Sequence, residues 1–170
     1  MRLDEVSTGS IYVDTNVLYM YLRADPSHLE TIKAFFTQVV DGRLDVFVSV
    51  VALDELYYRL LLGRIKDTAS GNPLDVLRDD LAGAIDQHGN LISTAIRKLV
   101  SIPHFNLVGI EAEDSEKMLE NIQAYSLLPR DALHLAIIQR LGIRMIASDD
   151  RDFDRVESIN RHWVINPCNS

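Results

Sequence analysis

Cysteine is nearly missing from this chain: its 170 residues hold one, Cys168. A lone thiol has no intrachain partner, which excludes a disulfide framework and fits a reducing compartment. Long apolar runs are missing as well. None approaches the roughly 18 residues that a membrane span needs. The polar first ten residues carry no secretory pattern, so a cytoplasmic protein is expected. Positive charge is scarce: 17 Lys and Arg stand against 25 Asp and Glu, a net charge of −8. That balance is the opposite of a module that holds nucleic acid by a basic surface alone. There is no internal repeat and no low-complexity tract. What is present, 47% apolar and 25% charged residues, is the composition of a globular protein. The length suits about one domain with a proper core.

The chain is organised around Leu127 to Phe153. Pro129 suits a first helical turn, where its missing N–H is not needed, and Asp131 beside it suits the positive end of the helix dipole. From Ala132 to Leu141 only His134, Gln139 and Arg140 are polar, as expected of a helix buried on most sides. Gly142 reads as the stop. Arg144 to Ala147 is a short buried strand, and Ser148-Asp149-Asp150-Arg151-Asp152 follows at its carboxyl end. In open α/β sheets ligands gather at that end of the strands.

The rest alternates strand and helix. Ile11 to Val13 is a strand that switches at Asp14-Thr15-Asn16 into a helix from Val17 to Leu22. Asp25-Pro26-Ser27 interrupts it, and His28 to Val40 has helical spacing. Val46 to Val51 lacks polar alternation, as a strand buried on both faces does. Ala52 to Ile65 is a helix with Glu55 in its first turn. Asp67 to Pro73 is the most loop-like stretch. Two helices are expected next, Leu74 to Gln87 and Leu91 to Val100, broken at His88-Gly89-Asn90. A strand at Phe105 to Val108 and a helix opened by the acids of Glu111 to Glu116 complete this part. Arg151 to Asn160 reads as helix or turn, and His162 to Ile165 as a last strand. Such alternation predicts an α/β fold with a mostly parallel sheet covered on both faces.

Right-handed crossovers bring successive strand ends to one edge of that sheet. Asp14 ends the first strand, Asp149 and Asp150 end a later one, and Glu55 follows the second. The helix that Asp131 opens is expected to start at the opposite edge unless it is offset or a loop carries it back. Topology alone therefore leaves Asp131 apart. Two carboxylates about 4 Å apart repel by ~1 kcal/mol in water and by ~4 kcal/mol at an effective dielectric near 20. Three or four together would rival a domain's whole stability of ~5–15 kcal/mol. Convergence thus requires protonation or a cation. All-oxygen donors favour Mg²⁺ or Mn²⁺ over zinc, and such a cation suits phosphoryl chemistry. Taken singly, each acid is more simply a helix cap or dipole partner. Asn16 is then a cap, His134 a bonded core histidine, and Asp149 to Asp154 a solvated turn paired with Arg151, Arg155 and Arg161.

Taken together, four motifs resemble the PIN-domain family, and within it the VapC-like toxins of toxin–antitoxin pairs. They are Val13-Asp14-Thr15-Asn16-Val17, Glu55 after an apolar strand, Pro129-Arg130-Asp131-Ala132-Leu133-His134-Leu135-Ala136, and Ser148-Asp149-Asp150-Arg151-Asp152-Phe153. Their order and spacing match from about residue 10 to residue 165. The resemblance implies a three-layer α/β/α fold and a ribonuclease in which Asp14, Glu55, Asp131 and Asp150 hold Mg²⁺ or Mn²⁺. Asp149 and Asp152 are neighbours able to substitute for Asp150. Asn16 and Ser148 would stand near the metal. Attack by a metal-activated water on an RNA phosphodiester, a homodimer, and a small antitoxin blocking the site are implied too. So is a place for Asp131 among the other acids.

This chain departs from the pattern in its length, which suggests one PIN-like domain over 1–170 with a helical insertion around 67–102. Its acidity persists when the site acids are set aside, so RNA affinity would require cations such as Arg23, Arg59 and Arg130 beside the site. Two alternatives compete. A haloacid-dehalogenase-like phosphatase also ends its first strand in Asp, but its second Asp would fall at Asn16. A PIN-like binding module without metal would have no reason to keep four acids.

Overall fold

β-Branched and aromatic residues make the strands, and acids or Pro open most of the helices. A computed structural model describes residues 1–163. Residues 164–170, which include Cys168 and the end of the expected last strand, lie outside the described part. In chain order the elements are β1 (Gly9–Val13), α1 (Thr15–Arg23), α2 (Leu29–Val40), β2 (Leu44–Ser49), α3 (Val50–Thr68), α4 (Pro73–Asp79), α5 (Leu81–Val100) and β3 (Phe105–Val108). They continue with α6 (Ala112–Tyr125), α7 (Pro129–Arg140), β4 (Met145–Ala147) and β5 (Asn160–His162). Short 3-10 turns lie at Leu3–Glu5 and Arg151–Arg155.

The five strands form one sheet in the order β3-β2-β1-β4-β5, and every pairing is parallel. Side chains alternate between its faces. Ile11, Val13, Val46 and Val48 join one buried cluster with Val17, Ile32, Phe35, Leu56 and Ile92 from α1, α2, α3 and α5. Tyr12 and Ile146 join a second with Leu135 and Ile138 of α7 and Phe153 beyond β4. Helices therefore cover both faces, which makes the expected three-layer α/β/α fold. No helix of the described residues is long and apolar enough to cross a membrane.

The connections leaving β1 are what position a site. From β1 the chain builds β2 and β3 on one side, and only later β4 and β5 on the other. The end of β1 is therefore the point where strand order reverses, and a crevice opens there.

Two sequence readings are corrected. Val50 and Val51 belong to α3 rather than to the second strand, because the Ser49 side chain caps the helix by accepting the Ala52 N–H at 3.1 Å. Glu55 thus lies in the second turn, not the first. The helix break falls at Asp80 and not at His88-Gly89-Asn90. The Asp80 N–H closes α4 on the Val76 carbonyl at 2.9 Å, and its carboxylate accepts the Gly83 N–H at 2.9 Å to open α5. His88 is buried and shares a 3.3 Å hydrogen bond with the Thr68 hydroxyl. A Cβ on Gly89 would sit 3.0 Å from the Tyr57 hydroxyl. What looked like a loop is a tight contact between two helices, where glycine lets the backbones approach. Gly142, at φ +66°, does end α7 as expected.

Candidate active site

Asp14 follows β1 directly and caps α1. Its Oδ1 accepts the Thr15 N–H at 2.7 Å. Its Oδ2 accepts the Ser148 hydroxyl at 2.6 Å and the Asn16 amide at 3.3 Å. The Asp14 N–H donates to the Ala147 carbonyl at 3.0 Å, which ties the ends of β1 and β4 together. Ser148 is fully buried, and its oxygen also accepts the Asp150 N–H at 3.1 Å. One hydroxyl therefore sets both Asp14 and the start of the acidic loop.

Glu55 reaches the same place from α3. Its Oε2 accepts the Thr15 hydroxyl at 3.0 Å and lies 3.6 Å from the Arg130 guanidinium at the start of α7. Sequence reasoning passed over Thr15, although it stands inside the quoted motif. The available signal was a hydroxyl residue at the first position of a helix that leaves the sheet beside an acid.

Asp131 joins the others. Its carboxyl is pushed up to about 6 by burial first, and then by the carboxylates of Asp150, Asp14, Asp152 and Glu55. The expectation that its helix starts at the opposite edge had the direction reversed. α7 leads through Leu141 to Arg144 into the start of β4. It therefore runs opposite to the strands and begins at the edge where they end.

The acidic loop is sorted by its neighbours. Asp149 accepts the Asn16 amide, and its carboxyl is raised by burial and then by Asp14, with Arg59 opposing. Asp150 caps the 3-10 turn by accepting the Asp152 N–H at 2.8 Å. Asp152 pairs with Arg155 at 2.9 Å. Asp154 takes a two-pronged bond from Arg161, both arms 2.8 Å. The solvated, ion-paired reading thus fits Asp152 and Asp154, and Asp149 and Asp150 less. Asn16 is buried with its Oδ1 unpartnered.

His134 is a core residue. It is 2% exposed, and its Nδ1 lies 2.6 Å from the Tyr12 hydroxyl. Burial holds its imidazole below the ordinary value, so the ring is neutral at pH 7. Of the cations named from sequence, Arg130 stands by Glu55. Arg23 is bound to Asp67 at 2.6 Å, and the Arg59 guanidinium lies 4.9 Å over the Tyr19 ring.

Among the described residues no group of three or more His, Cys, Asp or Glu is set closely enough to hold a metal ion. The donor set nonetheless suits a hard cation. It is all oxygen, and Asp131 carries the unrelieved cost of like charges that a divalent ion would cancel.

That cost has a measurable consequence. A carboxyl raised from 3.8 to about 6 destabilises the fold little below pH ~4, increasingly from pH ~4 to ~6, and fully above that. With solvent screening the penalty is on the order of 1–2 kcal/mol. In EDTA at pH 8, Asp131→Asn should raise the melting temperature by about 2–8 °C. At pH 4 the two proteins should melt together. An equal gain at both values would place the effect outside the ionised carboxylate.

The sequence model of the PIN-domain family matches residues 11–159. No curated protein matches significantly. Solved structures do. VapBC2 from Rickettsia felis, crystallised on a promoter DNA fragment, is 10% identical, with a TM-score of 0.61 over 91% of this chain and 98% of that one. VapC20 of Mycobacterium tuberculosis, a toxin that cleaves the sarcin-ricin loop, is 16% identical, with a TM-score of 0.56 over 86% and 95%. FitAcB from Neisseria gonorrhoeae is 16% identical, with a TM-score of 0.53 over 89% and 96%. At such identities the likeness speaks for the fold.

Proposed function

The chain belongs to the PIN-domain family, and we propose that it is a metal-dependent endoribonuclease acting as the toxin of a type II toxin–antitoxin pair. The observation that carries this is the meeting of acids from distant parts of the chain. Ser148 joins Asp14 to the start of the Asp150 loop, and Thr15, next to Asp14, holds Glu55. Burial and those same charges raise the carboxyl of Asp131. An arrangement that unfavourable needs a purpose, and cation binding supplies one.

Asp14, Glu55, Asp131 and Asp150 would hold Mg²⁺ or Mn²⁺. Asp150 is the fourth acid because its charge acts most strongly on Asp131 among the neighbours, while Asp149 is engaged by Asn16. When bound, such an ion polarises a phosphate oxygen and lowers the pKa of a water. The protein's own groups do the rest. Ser148 and Thr15 fix the carboxylates of Asp14 and Glu55 through the bonds above. Arg130, half in solvent beside Glu55, is placed to turn toward a phosphate oxygen. Neutral His134 and Tyr12, bonded to each other and buried, exchange no proton with the substrate.

The likeness to VapBC2 supports a small antitoxin as partner, and a homodimer as the working form follows from the family resemblance alone. α4 and α5 are read as an addition to a single PIN unit.

The test uses end-labelled single-stranded RNA. Cleavage in Mg²⁺, lost in EDTA and restored by excess Mn²⁺, is the expected result. Turnover of p-nitrophenyl phosphate without RNA cleavage would replace the proposal with a phosphatase. No cleavage, with no Mg²⁺ binding in calorimetry, would leave a binding module.

A further inference from the structure

The nuclease reading leaves one physical problem, which is how a chain of net charge −8 holds a polyanion next to a cluster of carboxylates. A groove of about 360 Å³ between α1, α3 and the start of α4 answers it. Tyr19, Arg59, Gly63, Lys66, Pro73 and Leu74 are among its lining residues, and none of the lining residues is an acid.

The groove begins about one helical turn from the acidic centre. Arg59 lies one helical turn beyond Glu55 on α3, and Tyr19 one turn beyond Thr15 on α1. Thr15 and Glu55 are themselves bonded at 3.0 Å, and Arg59 acts electrostatically on Asp149. Lys66 stands farther along the same helix, about 16 Å from Glu55 by helical rise. Arg23 and Arg130 have carboxylate partners. Neither Arg59 nor Lys66 has an ion-pair partner among the described residues. Arg59 is instead held over the Tyr19 ring. That ring can lie across α3 because position 63 is glycine, where a Cβ would come within 2.9 Å of the Tyr19 hydroxyl. At the far lip Leu74 is 52% exposed, an apolar surface beside cations. Cations tracking a backbone, with apolar surface for bases, are what a single strand requires.

Resting on the nuclease reading, we propose that this groove holds the single-stranded RNA segment flanking the scissile bond. Arg59 and Lys66 contact its phosphates, and Pro73 and Leu74 contact a base. Part of the wall comes from α4, so the helical addition contributes to substrate binding.

The test is binding of a fluorescent 12-nucleotide single-stranded RNA across a salt series, in EDTA and in Ca²⁺. Three variants are compared with the wild type: Arg59→Gln with Lys66→Gln, Gly63→Ala, and the charge-matched control Lys33→Gln with Lys98→Gln. The first pair should bind about tenfold more weakly at ~0.1 M salt. The slope of log K against log salt should become shallower by about 1.4, or ~0.7 for each phosphate that is no longer neutralised. Gly63→Ala displaces Tyr19 and should weaken binding without changing the slope. The control should match the wild type.

Unchanged affinity and slope in the first pair would overturn the proposal. So would a wild type that binds no RNA but binds fluorescent poly-glutamate through the same two cations, which would give the groove to an acidic protein segment. Cleavage by the wild type in Mg²⁺ is measured separately. Groove-dependent binding without cleavage keeps this inference and ends the nuclease reading. Cleavage with groove-independent binding does the reverse.

Discussion

Asp14→Asn should lower kcat for RNA cleavage by about 10³-fold or more, while the protein stays folded. The two halves of that result come from different jobs of one side chain. As a helix cap Asn serves about as well as Asp, so the bond from the Thr15 N–H survives and stability should change by no more than ~1 kcal/mol. As a ligand it fails, because the amide replaces an anionic oxygen where Ser148 and Asn16 now donate. Losing several kcal/mol of stabilisation by the metal corresponds to the expected factor. Single-turnover cleavage together with thermal melting checks both halves. Activity within tenfold of the wild type, at unchanged melting temperature, would remove Asp14 from the chemistry.

The largest effect on stability is expected far from that site. Asp114 on α6 is buried, with its side chain 1% exposed. It is ionised despite burial because Arg140 of α7 donates from Nε at 2.9 Å and from Nη2 at 3.0 Å, and the Glu111 N–H donates at 2.8 Å. Burial works against that charge, and these bonds hold its carboxyl below the ordinary value. Arg140 also donates to the Gly109 carbonyl at 2.9 Å. Arg140→Ala strips the pair of its cation and leaves a buried carboxylate, which typically costs about 3–5 kcal/mol. Urea unfolding at pH 7 should show a loss in that range. Arg140→Lys should recover less than half of it, since an ammonium cannot make the two-pronged bond. A loss below 1 kcal/mol for the alanine variant would mean that water reaches Asp114 freely. A depressed carboxyl stabilises above its unfolded pKa, so the difference between variant and wild type should shrink as the pH falls below ~4.

Much of this was legible in the sequence where local chemistry decides. The run Ile11 to Val13, the Pro129 start and the Gly142 stop of α7 were readable because each depends on its own residue. The order of alternation gave the layers and the edge at which Asp14 and Asp150 meet. The rest required partners that no spacing reveals. His88-Gly89-Asn90 carries every local sign of a break, yet it continues α5 because Gly89 fits against Tyr57 and His88 finds Thr68. Val50 and Val51 prefer strands by shape, but the Ser49 cap turns them into helix. The acids from Asp149 to Asp154 look alike in sequence. Arg161, brought close by folding, holds Asp154 apart, while Asp150 and Asp152 act on Asp131. Topology alone left Asp131 apart through a mistaken sense of helix direction, and it was the family resemblance that set it among the other acids.

The bond between Ser148 and Asp14 joins residues 134 positions apart, and that separation has a consequence for how the protein is born. Ribosomes add about 5–20 residues per second, so β1 leaves the exit tunnel many seconds before β4 exists. Until β4 has been made, the hydroxyl that orients Asp14 and the loop that supplies Asp150 are still untranslated. A nascent chain therefore carries no assembled centre until β4 has been made and has docked. If the proposed ribonuclease reading holds, cleavage cannot begin before that late strand is in place.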